Sequence, residues 1–198
     1  MTLNCLITGV GGQGTVLMAR LIGNAAILRG LDVLGAETIG MAQRGGSVVS
    51  HIRIGAGPRS PLIPPGRADL VIAFEPAEAV RVLPYLARAG RLLALDRGIA
   101  PVTSSLAAGK GADAGYDPAA MAAYLRQNLE GRATILDGES LIRRCGNARV
   151  LNAALLGAAL KLGLLPFTAG EIGEVIKTAL PAKFVEMNLA ALKAGQEL

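Results

Sequence analysis

The sequence predicts a single three-layer α/β/α domain over residues 1–198, with a mostly parallel or mixed sheet and a helical C-terminal part. Three observations lead to this prediction. A strand, a glycine-rich turn and a helix open the chain; short apolar runs then alternate with segments of helical periodicity; and helical periodicity continues from Ser140 onward. A chain of 198 residues is long enough for one complete core, and its composition gives no sign of a second domain.

The first strand and helix form a Rossmann-like βα unit. Residues 3–8 are a short apolar run typical of a buried strand, and residues 15–28 carry apolar side chains at helical spacing. The turn between them has the sequence Gly9-Val10-Gly11-Gly12-Gln13-Gly14. Glycine permits positive φ and lets a ligand approach the helix N-terminus, where free N–H groups and the helix dipole favour an anion.

The same turn permits an alternative function. Gly9, Gly11 and Gly14 match the dinucleotide fingerprint GxGxxG, and Glu37 lies near the end of the next apolar run, where a ribose-binding acid is expected. A free-standing dinucleotide-binding oxidoreductase is therefore an alternative. The fingerprint occurs in many unrelated folds and does not identify a function by itself.

A second glycine-rich turn follows Glu37. Residues 40–47 have the sequence Gly-Met-Ala-Gln-Arg-Gly-Gly-Ser, where a dinucleotide-binding fold would continue into a crossover helix. Residues 47–54 then alternate like a strand, with His51 and Arg53 on the face opposite to the more apolar one. The repeating strand–helix–strand order is therefore predicted to break here.

Proline and glycine mark the elements of the middle of the chain. Pro76 suits the first turn of a helix, and Pro84 is expected to end or kink it. Pro58–Pro65 is expected to be a surface loop because it is rich in proline, and residues 101–117 another because they are rich in Gly, Ala and Ser. Strands are predicted over residues 69–74, 91–96 and 133–136, and helices over residues 76–83 and 118–129.

The helical C-terminal part carries three local signals for helix ends. Asn147 is expected to cap a helix N-terminus, and Gly163 is expected to end a helix. Residues 168–171, Thr-Ala-Gly-Glu, predict a capping box.

The cysteine content limits the cofactors that this chain can hold. Cys5 and Cys145 are the two cysteines and form no C-x-x-C pair, so the sequence predicts no iron–sulfur or zinc site of its own. Two separated cysteines, and a first segment without a basic, cleavable leader, predict a cytoplasmic protein. Residues 150–167 are the most apolar late segment, but polar residues and a proline interrupt them, so no membrane span is expected.

The formal net charge of +5 raises the question of nucleic-acid binding. The basic residues are scattered, with only Arg143 and Arg144 adjacent, and the three Phe and three Tyr are not interleaved with them. No stacking platform or helix-turn-helix pattern follows, so no nucleic-acid partner is expected. The charge is interpreted as a solvated surface with salt bridges to an acidic partner, or as a binding surface for a phosphate-bearing ligand or an acidic protein.

The apolar fraction of the sequence, 52%, is high for a chain with few aromatic residues. It predicts an extensive buried or partner-facing surface. A homodimer or an aggregation-prone monomer is therefore expected when the chain is isolated.

Together the two glycine turns carry a family resemblance. The chain resembles the gamma-type subunit of the 2-oxoacid:ferredoxin oxidoreductases, most closely the beta subunit of indolepyruvate ferredoxin oxidoreductase. The resemblance covers essentially the whole chain, and the second turn is its specific part. The residues that carry it are Gly9–Gly14, Met41–Val48, Ser50–Arg53, Asn147, Asn152, Gly157 and Glu186–Leu189.

The resemblance implies a heteromeric enzyme that decarboxylates a 2-oxoacid, favoured to be indolepyruvate, forms an acyl-coenzyme A and reduces ferredoxin. It implies that thiamine diphosphate, Mg²⁺ and iron–sulfur clusters belong to a large partner subunit. This chain would then bind no cofactor and have no activity alone, with coenzyme A as a candidate co-substrate and ferredoxin reached through the complex. A ligand-free assembly module, whose glycine turns serve only contacts, is a third function class.

The candidate contact residues lie in the two turns. Arg44 is the strongest, because a guanidinium can hold a carboxylate or phosphate through two hydrogen bonds; an ion pair across a subunit interface is the alternative. The Gln13 amide suits either a ligand or loop carbonyls, and Gly45 and Gly46 suit either an anion nest or a tight turn. The residues expected to contact a ligand or a partner's cofactor are Gly11, Gly12, Gln13, Gly14, Gln43, Arg44, Gly45 and Gly46.

Four further residues have chemistry that the sequence leaves open. His51 is the only histidine, which favours a structural role over a metal site or a triad. Cys145 follows two arginines that would lower a thiol pKa, although a structural thiol is favoured. Glu75 and Asp96 follow predicted parallel strands, where they would line a ligand edge or cap the loops. No residue is predicted to be catalytic, and no metal site is predicted.

Overall fold

The computed structural model describes residues 2–39, 46–57, 59–99 and 116–198. These residues form six strands: β1 (Leu3–Val10), β2 (Val33–Ile39), β3 (Ser47–Ile54), β4 (Ala68–Ala73), β5 (Leu86–Leu95) and β6 (Ala133–Leu136). They also form seven α-helices: α1 (Thr15–Leu28), α2 (Pro76–Val82), α3 (Pro118–Asn128), α4 (Gly138–Cys145), α5 (Leu151–Lys161), α6 (Ala169–Ala179) and α7 (Ala182–Gln196).

One mixed sheet holds these strands in the order β2-β3-β1-β4-β5-β6. Strands β1, β4, β5 and β6 are parallel, whereas β3 lies between β1 and β2 and is antiparallel to both. Among the described strands, β3 alone is reversed, so the strand–helix–strand order does break after β2. The mixed sheet and its helices confirm the predicted α/β fold class.

Helices cover both faces of the sheet and form two apolar cores. On one face, α1 and the C-terminal helices pack against buried strand residues such as Ile7, Ile52 and Ile72. On the other face, α2 and α3 pack against Leu6 and Val71. Because side chains alternate along a strand, each strand in the middle of the sheet contributes to both cores.

Most predicted elements are confirmed, and α1 spans the predicted residues 15–28. Strand β5 begins at Leu86 rather than residue 91, because Leu86 pairs with Ala68 across a register shift. Helix α4 begins at Gly138 rather than Ser140, because the Asp137 side chain caps it by accepting the Ser140 N–H at 2.8 Å. The predictions for residues 40–45, Pro58 and residues 100–115 lie outside the described residues.

The proline-rich loop was predicted to lie on the surface, but part of it is buried in the core. Ile63 is 1% exposed and packs in the second core. Its N–H donates to His51 Nδ1 at 3.2 Å, and Arg53 Nη1 donates to the Ser60 carbonyl at 2.9 Å. The loop is therefore anchored to β3.

All three helix-end signals of the C-terminal part are confirmed. Asn147 Oδ1 accepts the Arg149 N–H at 2.9 Å and caps the short 3-10 turn that leads into α5. Gly163, with a φ of 64°, follows the end of α5. Thr168 and Glu171 form a reciprocal capping box at the start of α6.

Helices α5 and α7 cross in close contact at two glycines. A Cβ at Gly157 would collide with the Leu192 carbonyl oxygen, and a Cβ at Gly195 with the Ala154 carbonyl oxygen. Neither glycine has a positive φ. Space, and not backbone conformation, therefore requires glycine at this crossing.

We expect Gly157→Ala to destabilise the protein, although alanine is the better helix former. Overpacking costs on the order of 1 to 3 kcal/mol, which outweighs or cancels the roughly 1 kcal/mol of helix propensity gained. Chemical denaturation measures the difference. In the control Gly170→Ala, a Cβ would have only Thr168 Oγ1 nearby, at 3.9 Å, so stability should be unchanged or increased. A Gly157→Ala protein as stable as the control would contradict the close crossing.

Arg29, just after α1, connects this helix to α6. Its Nε and Nη2 donate to the two carboxylate oxygens of Glu171 at 2.5 and 2.6 Å, and its Nη1 donates to the Pro166 carbonyl. Its guanidinium also lies 5.1 Å from the centre of the Phe167 ring. Hydrogen bonds from Arg29 first, and then from Thr168, lower the pKa of Glu171 from 4.5 to about 2.

The pH dependence of stability tests this connection. Because the pKa of Glu171 is lower in the folded protein, its stabilising effect is present above about pH 4.5 and is lost as the pH falls towards 2. We expect Arg29→Met to flatten the fall of the unfolding free energy across this window. Urea denaturation at a series of pH values measures it, with Lys177→Met, which removes the exposed pair with Glu174, as the control. Parallel curves for Arg29→Met and wild type would rule out the effect.

Candidate functional site

The first glycine turn joins the carboxyl end of β1 to the start of α1. Gly12 and Gly14 have φ angles of 102° and 87°, in the left-handed region that glycine favours. A Cβ at Gly14 would also lie 2.8 Å from Nδ2 of Asn152 on α5. Backbone conformation and close packing both require glycine at position 14, and Asn152 of the family pattern lies beside the turn.

The structure brings the two glycine turns together. The Gly11 N–H donates to the Gly46 carbonyl at 2.9 Å, and Val10 pairs with Ser47 at the end of the β1–β3 ladder. Of the predicted contact residues, Gln43, Arg44 and Gly45 lie outside the described residues. Those that the structure places at one edge of the sheet are Gly11, Gly12, Gln13, Gly14 and Gly46.

The Gln13 side chain makes its contacts within the protein. Its Oε1 accepts the Val10 N–H at 2.8 Å, which closes the turn. Its Nε2 donates to Glu75 Oε1 at 2.6 Å. Of the two interpretations of Gln13, the geometry favours support of the turn over direct contact with a ligand.

Glu75, at the carboxyl end of β4, is the centre of a buried polar cluster. Only 2% of its surface is exposed. Its second oxygen accepts the Tyr116 hydroxyl at 3.0 Å. Burial raises the pKa of Glu75 above its usual 4.5, and the hydrogen bonds that it accepts offset this only in part. Burial, and then repulsion by the Glu75 carboxylate, also raise the pKa of Tyr116.

A second buried acid, Glu78 of α2, lies beside this cluster. It accepts the Ser47 hydroxyl at 2.5 Å and pairs with Arg81 Nε at 3.3 Å. A cavity of about 400 Å³ opens between these groups. Glu78 and Tyr116 were not among the residues predicted from the sequence. Glu78 follows Glu75 by three residues at a predicted helix start, and this spacing could have indicated that the two acids lie together. Tyr116 follows a glycine-rich segment, whose sequence does not indicate where the tyrosine lies.

A second cavity, of about 440 Å³, opens on the other side of the turn. It is lined by the glycine turn, the first residues of α1, Arg20 and Val48. Gly14, the residue before α1, has no side chain to cap the helix, and no acidic residue lies in its first turn. Free N–H groups, the positive end of the helix dipole and a nearby guanidinium therefore give this cavity the chemistry of an anion site.

The other candidate residues have structural roles. Asp96 Oδ1 accepts the N–H of Gly138, the first residue of α4, at 3.0 Å, so it stabilises the start of the helix that Asp137 caps. His51 is 5% exposed, its Nδ1 accepts a backbone N–H, and its ring meets Tyr85 edge-on at 5.9 Å. Burial lowers the pKa of His51, which keeps it neutral and able to accept this hydrogen bond.

The cysteines are unpaired and occupy different elements. Cys5 is fully buried in β1, and burial raises its pKa to about 12. Partial burial raises the pKa of Cys145, which favours the structural thiol over the reactive one that its two neighbouring arginines could have produced. Among the described residues, no group of three or more His, Cys, Asp or Glu could hold a metal ion. None of the described helices is long and apolar enough to cross a membrane.

The sheet order argues against the dinucleotide alternative. In that fold the strand with the ribose-binding acid lies directly beside the first strand. Here β3 separates them, so Glu37 on β2 lies two strand spacings, about 10 Å, from the strand that carries the glycine turn. Glu37 instead lines a groove between α1 and β2.

Comparison with known proteins gives the family. Residues 4–198 match the pyruvate ferredoxin/flavodoxin oxidoreductase family. Four curated proteins named indolepyruvate oxidoreductase subunit IorB are 34–37% identical to this chain. The one from Thermococcus kodakarensis is 35% identical over 97% of this chain and 93% of its own length.

Two solved structures share the fold. The gamma subunit of a keto/oxoacid ferredoxin oxidoreductase from Geobacter sulfurreducens has a TM-score of 0.67 at 21% identity, over 98% of this chain and 96% of that chain. A 2-oxoglutarate:ferredoxin oxidoreductase from Magnetococcus marinus has a TM-score of 0.71 at 18% identity, over 99% of this chain and 30% of that chain. The chain therefore belongs to the pyruvate ferredoxin/flavodoxin oxidoreductase family, as a subunit of a 2-oxoacid ferredoxin oxidoreductase.

Proposed function

We propose that this chain is the cofactor-free subunit of a thiamine-diphosphate-dependent indolepyruvate:ferredoxin oxidoreductase. The observation that carries the proposal is its similarity, over nearly the full length of both chains, to four proteins named as indolepyruvate oxidoreductase subunits. Such a match supports an equivalent place in the enzyme more strongly than a single motif does.

In the proposed reaction, a 2-oxoacid and coenzyme A give an acyl-coenzyme A and carbon dioxide. The bond between the carboxylate and the oxo carbon breaks, and carbon dioxide leaves. The oxo carbon forms a thioester bond with the sulfur of coenzyme A, and the thiol proton is released. The two electrons that are released reduce two molecules of ferredoxin, and iron–sulfur clusters of the partner subunit would carry them.

The side chains of this chain do not fit an iron–sulfur cluster. A cluster needs several thiolates that converge, whereas Cys5 lies inside β1 and Cys145 ends α4. We therefore assign the clusters, thiamine diphosphate and Mg²⁺ to a large partner subunit, through which ferredoxin is reduced. Thiamine diphosphate, bound there, supplies the carbanion stabilisation that decarboxylation needs. The unpaired cysteines support a reducing, cytoplasmic location.

The glycine turns are the part of this chain that we assign to the reaction. The free N–H groups at the start of α1 and the Arg20 guanidinium suit an anion. Arg44 precedes Gly46 by two residues in the second turn, and Gly46 contacts Gly11. We assign Arg44 to the same anion, which is a phosphate of coenzyme A or an anionic group beside the partner's cofactor.

Reconstitution from the separate subunits tests whether this chain lacks cofactors and has no activity alone. We expect the isolated chain to be colourless, to contain no iron or flavin, and to oxidise no 2-oxoacid. Mixing it with its large subunit should give coenzyme A-dependent viologen reduction, fastest with indolepyruvate when pyruvate and 2-oxoglutarate are compared. Iron analysis, visible spectra and the viologen assay measure these outcomes. NAD-dependent activity of the isolated chain would instead favour the dinucleotide alternative.

The role of Arg44 is tested with a conservative variant. Arg44→Lys keeps the charge but loses the planar fork, so transition-state binding should weaken by about 1 to 3 kcal/mol, roughly five- to 150-fold in kcat/KM. Arg126→Lys, on the exposed surface of α3, is the control.

Kinetics and assembly are measured on the same Arg44→Lys preparation. A kinetic loss in an assembled complex indicates coenzyme A or substrate as the anion, whereas dissociation of the complex indicates an ion pair across the interface. Wild-type behaviour in both measurements would exclude Arg44 from the site.

A further inference from the structure

Two buried acids, three residues apart, lie at the start of α2. Glu75 directly precedes the helix, and Glu78 lies in its first turn. They line one cavity together with Val10, at the end of β1, and Ser47, at the start of β3. Burial, and to a smaller extent repulsion by Glu78, raises the pKa of Glu75. Two like charges buried side by side are unfavourable for folding, so their position needs a compensating gain.

Each of the two acids holds a different glycine turn. Glu75 holds the first turn through Gln13, whose Nε2 donates to Glu75 Oε1 at 2.6 Å and whose Oε1 accepts the Val10 N–H. Glu78 holds the second turn through Ser47, whose hydroxyl donates to Glu78 Oε2 at 2.5 Å. The start of α2 thus connects the adjoining ends of β1 and β3, where the two turns meet.

The first glycine of the fingerprint leaves room for this arrangement. Gly9 has no positive φ, so its backbone conformation does not require glycine. A Cβ at this position would lie 2.5 Å from Gln13 Oε1 and 3.1 Å from Phe74 Cβ. Glycine at position 9 therefore provides the space into which the Gln13 side chain folds back over the turn.

We propose that Glu75 and Glu78 are positioning residues for the anion site of the glycine turns. They do not bind the anion themselves, because a carboxylate repels an anion and both already accept hydrogen bonds from the protein. Instead, they fix the backbone N–H groups of residues 11–14 where these groups meet a phosphate. The inference rests on the proposed function and takes a phosphate of coenzyme A as the anion.

Preorganisation of the turns is the gain that compensates for the buried acids. Glycine-rich turns have much conformational freedom, and a ligand that has to order them binds more weakly. Turns that are held before the ligand arrives avoid this loss. Carboxylates suit this role, because a hydrogen bond to a charged group is about twice as strong as one between neutral groups.

Two variants break the links and leave both acids in place. Gln13→Met keeps the length of the side chain but removes its amide, and Ser47→Ala removes one hydroxyl. Each loss of a hydrogen bond favours the protonated form of the acid, which would reduce the repulsion of an anion. A role of the acids through their charge and a role through the position of the turns therefore predict opposite changes in anion binding.

Hydrogen exchange of the Gly11 amide, followed by NMR in the full chain, measures how firmly the turns are joined. This N–H donates to the Gly46 carbonyl and not to either side chain that is changed. We expect exchange to be at least about fivefold faster in Gln13→Met and in Ser47→Ala. Thr38→Val removes a hydroxyl hydrogen bond on the edge strand β2 and is the control, with exchange as in wild type. Wild-type exchange in either link variant would overturn the proposal.

Kinetics of the assembled complex test what the held turns do in the reaction. We expect KM for coenzyme A to rise at least about fivefold in each link variant, while kcat and KM for the 2-oxoacid stay unchanged. A merely structural role would lower the amount of active complex, and so kcat, without changing KM for coenzyme A. A fall in KM for coenzyme A would show that the charge of the acids decides anion binding. Either of these two results would overturn the proposal.

The two measurements separate this inference from the proposed function. A wild-type complex whose activity does not depend on coenzyme A would overturn the proposed function, and with it the role of the acids in the reaction. The exchange rates require neither the partner subunit nor activity, so they decide independently whether the two acids hold the turns.

Discussion

The pairing of β3 with β1 fixes the positions of the groups at the carboxyl edge of the sheet. Eight residue pairs, from Leu3 with Ile54 to Val10 with Ser47, hold the two strands antiparallel. This register places Gly46 against Gly11 and so joins turns that are far apart in sequence. A slip by one residue would move Ile54 from the core to the other face of the sheet, so burial specifies the register. The same strand displaces β2 to the sheet edge, where the α1–β2 groove forms.

The glycine turn depends on the carboxylate of Glu75, whose burial is unfavourable. Removing a carboxylate from water costs several kcal/mol, whereas a hydrogen bond to a charged group returns about 1.5 to 3 kcal/mol. Glu75 accepts hydrogen bonds from Gln13 and Tyr116, and its pKa is still raised, so desolvation outweighs them. The carboxylate holds Gln13, and Gln13 holds the Val10 N–H. Loss of the Glu75 carboxylate would therefore leave both Gln13 Nε2 and the Tyr116 hydroxyl without their acceptor.

Local signals in the sequence predicted the elements well. The limits of α1 follow from a glycine turn and apolar spacing, and the capping box at Thr168 depends on residues that are three positions apart. The insertion of β3 between β1 and β2 was not predicted, because strand order depends on contacts between distant segments. The bond from Tyr116 to Glu75, across 41 positions, was missed for the same reason. At Cys145 the sequence left a lowered pKa open because two arginines precede the thiol, and its burial, which raises the pKa, depends on contacts that the local sequence does not show.

The geometry of the turn also limits what this chain can recognise. Because the Gln13 amide is used within the protein, the described part of the turn offers a ligand mainly backbone N–H groups and the Arg20 guanidinium. Such groups recognise the charge of a phosphate or carboxylate, but they carry no information about the side chain of a 2-oxoacid. A 2-oxoglutarate:ferredoxin oxidoreductase contains the same fold at 18% identity, so the fold itself is compatible with more than one 2-oxoacid. Selection among 2-oxoacids therefore belongs, in our proposal, to the partner subunit, while this chain supplies an anion site that any of these reactions could use.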